Sequence, residues 1–82
     1  MLIILLPAYN EQQSLRPVIN KLTNTLDNLK EDYRIIICND GSTDKTQKIL
    51  ENYSTCLPLE IINHQINRGL GETVRDLFER AA

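Results

Sequence analysis

Three short polar clusters hold the residues of this chain best suited to chemistry. In the first, Pro7 and Ala8 are rigid or small and can form a flat wall. Tyr9 adds an aromatic face on which a planar base can rest. Glu11 is an acceptor near a helix start, able to hold a ribose hydroxyl. In the second cluster, Asn39-Asp40-Gly41-Ser42-Thr43-Asp44, the Asp40 carboxylate suits an imino N–H of a base or a ribose. Gly41 lets the chain turn sharply with positive φ. The third cluster, Asn67-Arg68-Gly69-Leu70-Gly71, opens a helix with bare backbone N–H groups. With the helix dipole, these favour a diphosphate. Arg68 and Arg75 can add positive charge for the same anion.

Each cluster also has a plainer use. Asn39 to Ser42 is ordinary turn chemistry, and Asp44 serves equally as an N-cap. Glu11 can simply satisfy a helix dipole. Gly69 can be a loop glycine, and its G-x-G is too short for a dinucleotide fingerprint. Arg75 reads as a solvated helix residue, as do Glu72, Asp76, Glu79 and Arg80, with i,i+4 pairing among them. Tyr33 and Tyr53 read as packing residues, and the lone His64 falls on a loop with no role assigned. Cys38 and Cys56 form no C-x-x-C pair and have no histidine cluster beside them. They read as buried free thiols in a reducing compartment rather than as a zinc site or a disulfide.

The elements that must position these clusters follow from periodicity. Leu2 to Leu6 is an apolar run stopped by Pro7, Ile35 to Cys38 a second, and Leu59 to Ile62 a third. Such runs fit strands buried on both faces of a parallel sheet. Between them, Leu15, Val18, Ile19, Leu22, Leu26 and Leu29 trace one stripe of a helix with Ser14 as its N-cap and Pro17 in its first turn. A second helix starts at Asp44, with Gln47 at capping-box spacing and Ile49, Leu50 and Tyr53 turned inward. A third begins at Gly69 to Gly71 and presents Leu70, Val74, Leu77, Phe78 and Ala81 on one face. The order β-α-β-α-β-α implies right-handed crossovers and an α/β, Rossmann-like parallel sheet. In such sheets ligands bind at the carboxyl ends of the strands, where all three clusters fall. A three-stranded sheet leaves long open edges, so the 82-residue piece is expected to self-associate or to be the ordered part of something longer.

Taken together, the clusters resemble a known family. Leu5-Leu6-Pro7-Ala8-Tyr9-Asn10-Glu11 is similar to the opening of family 2 glycosyltransferases, and Cys38 to Asp44 resembles their acidic Asp-Gly-Ser-x-Asp loop. Asn67 to Gly71 is similar to their third segment, and its Gly-Leu-Gly form looks like the dolichol-phosphate mannosyltransferase branch. The resemblance implies the N-terminal portion of a GT-A fold and a UDP- or GDP-sugar donor. Carried over by position, Pro7, Ala8, Tyr9 and Glu11 line the base and ribose pocket and Asp40 contacts the base; Gly41 belongs to the same nucleotide-sugar site, and Arg68 and Gly69 stand at the diphosphate. Asn39 stands where the family often has a first acidic residue, and Glu72 where many relatives have a lysine. The family's D-x-D segment, which holds Mg²⁺ or Mn²⁺, does not occur in the chain, so residues 1–82 read as a nucleotide-binding portion ending before it. No catalytic residue and no metal ligand is assigned within them.

The resemblance implies an inverting transferase in polysaccharide or cell-wall biosynthesis whose acceptor is a polyprenol (lipid) phosphate or a glycan. The 82 residues alone are expected to be inactive. The rival reading is a nucleotide-binding or regulatory α/β module without transfer chemistry. A dinucleotide-dependent oxidoreductase needs G-x-G-x-x-G after the first strand, where Pro7 to Glu11 stand instead. A net charge of −2 argues against a nucleic-acid partner. Reduced thiols fit a cytoplasmic location, whether free or at the cytoplasmic face of a membrane.

Overall fold

The computed structural model describes residues 1–82. Three strands alternate with three helices: β1 (Leu2–Ala8), α1 (Leu15–Leu29), β2 (Tyr33–Asp40), α2 (Thr46–Ser54), β3 (Leu59–His64) and α3 (Leu70–Ala81). The strands pair in the order β1-β2-β3, all parallel. The α/β fold is therefore the one expected.

The central strand explains the layering. Ile35, Ile36, Ile37 and Cys38 of β2 are all fully buried, because a middle strand of a parallel sheet is covered on both faces. Side chains alternate between the faces. Ile35 and Ile37 join Leu15, Ile19 and Leu26 of α1 and Ile49 and Leu50 of α2 in the larger core. Ile36 and Cys38 point the other way, onto Leu77 of α3. Thus α1 and α2 cover one face, and α3 turns back across β2 and β1 on the other. Each fully buried isoleucine contributes about 1.5–3 kcal/mol by leaving water.

Several element ends differ from expectation. Pro7 does not stop β1, which runs to Ala8 with Pro7 level with Cys38. An edge strand tolerates a residue without an N–H. The other two strands also extend, through Asn39 and Asp40 in β2 and through Asn63 and His64 in β3. α2 starts at Thr46 rather than Asp44, but Asp44 still accepts the Thr46 N–H at 2.9 Å. Gln47 makes no capping box; it accepts from the Asn39 amide at 2.7 Å. α1 has the expected bounds, but Ser14 gives it no side-chain cap, since its hydroxyl donates to Glu11.

The helix faces are narrower than their apolar stripes. In α1, Leu15, Ile19 and Leu26 are buried, while Val18 and Leu29 are exposed. In α3 the buried residues are Thr73 and Leu77, and Leu70, Val74 and Phe78 lie in solvent. A single helix laid over two strands covers itself only along one line of i, i+4 positions. Of the two free cysteines, Cys38 is buried as expected and Cys56 is exposed.

Ile37→Val removes one methylene from a fully buried side chain, and urea unfolding should show a loss of about 0.5–1.5 kcal/mol. Phe78→Ser, on the open stripe, should change the same measurement by less than about 0.5 kcal/mol.

Candidate functional site

The carboxyl ends of β1 and β2 and the start of α3 enclose a cavity of about 290 Å³. One wall is Pro7, Ala8, Tyr9 and Glu11 from the end of β1 and the loop after it. Asp40 lies at the tip of β2. The opposite wall is Asn67, Gly69, Leu70 and Thr73. Six of the eight residues singled out from the sequence therefore meet in one cavity. Gly41 and Arg68 do not line it.

Asp40 organises this arrangement. Its carboxylate is buried, and three donors reach it. The Arg68 N–H donates to Oδ1 at 2.8 Å, the Gly69 N–H to Oδ2 at 3.0 Å, and His64 Nδ1 to Oδ1 at 2.7 Å. Burial pushes the Asp40 carboxyl up. The hydrogen bonds from Arg68, His64 and Gly69 outweigh it and hold the group below the usual carboxylate range. A carboxylate offers about four acceptor positions, and the three donors leave one of them unused.

Gly41 makes this clasp possible. Its φ is +71°, and a Cβ there would lie 2.4 Å from the Asn67 nitrogen and 2.5 Å from the Ile66 carbonyl carbon. The segment carrying Arg68 and Gly69 can approach Asp40 only because residue 41 has no side chain. Gly69, with φ +89°, then turns the chain into α3. The Arg68 side chain is exposed; its contribution to the clasp is its backbone N–H.

The loops after β1 and β2 are lashed together by the remaining cluster residues. Asn10, at φ 50°, accepts the Thr43 N–H at 2.8 Å, and its own N–H donates to the Ser42 hydroxyl at 3.0 Å. The Glu11 N–H donates to Thr46 Oγ1 at 2.8 Å, and the Lys45 N–H to Gln12 Oε1 at 3.0 Å. The Glu11 carboxylate accepts from Ser14 at 2.8 Å and is otherwise exposed at the cavity edge. Tyr9 is 46% exposed, so its ring presents a free face.

His64 is the residue that sequence reasoning missed. It ends β3, level with Asp40, and is buried. Nδ1 faces Asp40 and Nε2 faces Asp76 Oδ2 at 2.6 Å. With both carboxyl groups ionised, each can only accept, so both ring nitrogens donate and the ring is an imidazolium. The bond to Asp40, against the opposing effect of burial and aided by Asp76, raises its pKa above the ordinary 6.5. Asp76 is thus a partner of His64 and not a solvated residue. Arg75 and Arg80 pair with Glu72 and Glu60, at i,i+3 and across to β3, rather than at i,i+4. The Cys38 sulfur lies 3.7 Å from His64 Nε2, but burial pushes its thiol up and the ring has no free lone pair to act as a base. The group has triad-like composition without an activated nucleophile. No group of three or more His, Cys, Asp or Glu is arranged to hold a metal ion.

Comparison with known proteins fixes the lineage. Residues 3–82 match the family described as Glycosyl transferase family 2. The chain belongs to that family. The crystal structure of S. aureus TarS 1-349 is similar to it with a TM-score of 0.74 and 27% identity, over 100% of this chain and 25% of that one. The chain therefore spans about a quarter of that solved structure, and its three-stranded parallel α/β unit matches the N-terminal part of a GT-A glycosyltransferase.

Gly41→Ala should destabilise the chain by at least about 1 kcal/mol, since it combines positive φ with a clash against the backbone. The ion-bonded group also makes stability pH-dependent. The raised His64 pKa gives a contribution that is whole below 6.5 and lost as pH rises through the raised value. The lowered Asp40 pKa gives one that is present above 3.8 and lost as pH falls through the lowered value. Thermal unfolding should therefore show this contribution at its greatest between those two ordinary values and a decline on the alkaline side that His64→Gln removes.

Proposed function

We propose that this chain is the nucleotide-binding portion of a glycosyltransferase that takes a sugar from a UDP- or GDP-sugar. The observation that carries the reading is the cavity at the carboxyl ends of β1 and β2, lined by Tyr9, Glu11 and Asp40, in a chain of family 2. The base rests against Pro7, Ala8 and the Tyr9 ring, and its imino N–H donates to the open position on Asp40. Glu11 accepts from the ribose. The diphosphate lies towards the first turn of α3, whose N–H groups from Leu70 on favour an anion, the Gly69 N–H being taken by Asp40 and Asn67, with the exposed Arg68 side chain in the adjoining loop.

The acceptor, a polyprenol phosphate or a glycan, attacks the anomeric carbon, and the nucleoside diphosphate leaves with inversion. The lipid acceptor rests on the Gly69-Leu70-Gly71 likeness to the dolichol-phosphate branch. The residues present do not fit Mg²⁺ or Mn²⁺, so a D-x-D segment outside these 82 residues would supply that site. No helix of the chain is long and apolar enough to cross a membrane; we place the protein in the cytoplasm, free or at a membrane face.

Calorimetric titration should show UDP or GDP binding to the chain, with no turnover of either sugar nucleotide by the 82 residues alone. Asp40→Asn should weaken binding by roughly ten- to a hundredfold, the worth of one hydrogen bond to a charged group. Equal affinity in the variant and the parent would remove Asp40 from the base site. Binding of neither nucleotide would remove the reading.

A further inference from the structure

We propose that His64 is a positioning residue for the nucleotide cavity: as an imidazolium bridging Asp40 and Asp76, it ties the α3 wall to the tip of β2. The cavity's role in holding a nucleotide rests on the reading above. The bridge itself rests on geometry alone. Nδ1 and Nε2 lie 2.7 and 2.6 Å from the two carboxylates, and the ring is buried between the sheet and α3.

The bridge spans the two sides of the site. Asp40 belongs to β2 and accepts the N–H groups of Arg68 and Gly69. Asp76 belongs to α3, one turn beyond Thr73, which lines the cavity with Leu70. If His64 loses a proton, one ring nitrogen turns a lone pair towards a carboxylate oxygen. That contact becomes repulsive, and either Asp40 loses a partner or α3 loses its tether. Both outcomes loosen the same wall. The groups facing the ring are Asp40 and Cys38 from β2, Asp76 from α3, and Arg68 from the connecting loop. The carboxylates favour the proton and Arg68 opposes it. Burial raises the Cys38 thiol above its ordinary range, so at neutral pH it adds no charge.

His64 is the sole histidine, so its ring gives an unambiguous signal in two-bond ¹H–¹⁵N correlation spectra of the labelled full chain. The spectra are recorded from about pH 5 to 10, the span that brackets an upward-shifted histidine. The expected result is a doubly protonated ring at neutral pH, a midpoint above the ordinary 6.5, and Arg68 and Gly69 amide shifts that move at that same midpoint. Affinity for UDP or GDP should fall across the same range, by about threefold or more. Asp76→Asn, which leaves every cavity residue in place, should lower the ring midpoint and flatten the affinity profile. A neutral ring at pH 7, or amides of Arg68 and Gly69 indifferent to its titration, would overturn the proposal. A pH-independent affinity would overturn it as well. Should neither nucleotide bind at any pH while ring and amides behave as described, the bridge stands and the nucleotide reading falls.

Discussion

A carboxylate removed from water must be solvated by something else. In this chain, that requirement falls on Asp40, at the tip of a strand whose preceding residues are wholly buried. Left alone, such a group would take up a proton or unfold its surroundings. Two backbone N–H groups and an imidazole meet the need, and all three lie 24 or more residues away along the chain. Satisfying one charge thus draws the loop before α3 against β2. The cavity is the space left between that loop and the end of β1. Gly41 is the steric condition for the approach, and Asp76 balances the positive ring that results.

The polar clusters therefore divide between two tasks. Tyr9, Glu11 and Asp40 line the cavity, and Asp40 keeps one acceptor position unused. Asn10, Ser42, Thr43 and Asp44 spend their hydrogen bonds on each other's loops. A motif of this kind is part binding surface and part scaffold, and the two parts are interleaved residue by residue. The plainer turn-and-cap reading and the ligand-binding reading are both right, for different members of the same cluster. Substituting Ser42 or Thr43 would act on the site through loop geometry rather than through contact.

Much of this was legible from the sequence. Apolar runs marked the strand cores, the stripe from Leu15 marked α1, and their alternation marked a parallel sheet with its clusters at one end. What escaped notice has common physical causes. The strands run past their apolar segments because backbone pairing continues into the polar tips; Asn39, Asp40, Asn63 and His64 read as turn and are strand. Carrying β3 two residues further would have put His64 level with Asp40, which is the signal that was available. The His64–Asp76 pair carries no local signature, since it depends on how α3 crosses the sheet. Periodicity overstated the buried width of α3, because Leu70, Val74 and Phe78 share a helical arc with Leu77 but not its line of contact. Residue type pointed to the Arg68 side chain, but its backbone N–H, which donates to Asp40 and which any residue but proline could supply, has no sequence signature.

The central claim is that the Asp40 carboxylate, by accepting the Arg68 and Gly69 N–H groups, holds the cavity together. Amide hydrogen exchange of the chain at a pH where His64 is protonated tests this most directly. Loop amides without a partner exchange near their intrinsic rates. Arg68 and Gly69 should instead exchange at least about a hundredfold more slowly, approaching the amides of β2. Exchange of both at the rate of an open loop, while Ile36 and Ile37 remain protected, would show that the clasp is not formed and would contradict the account.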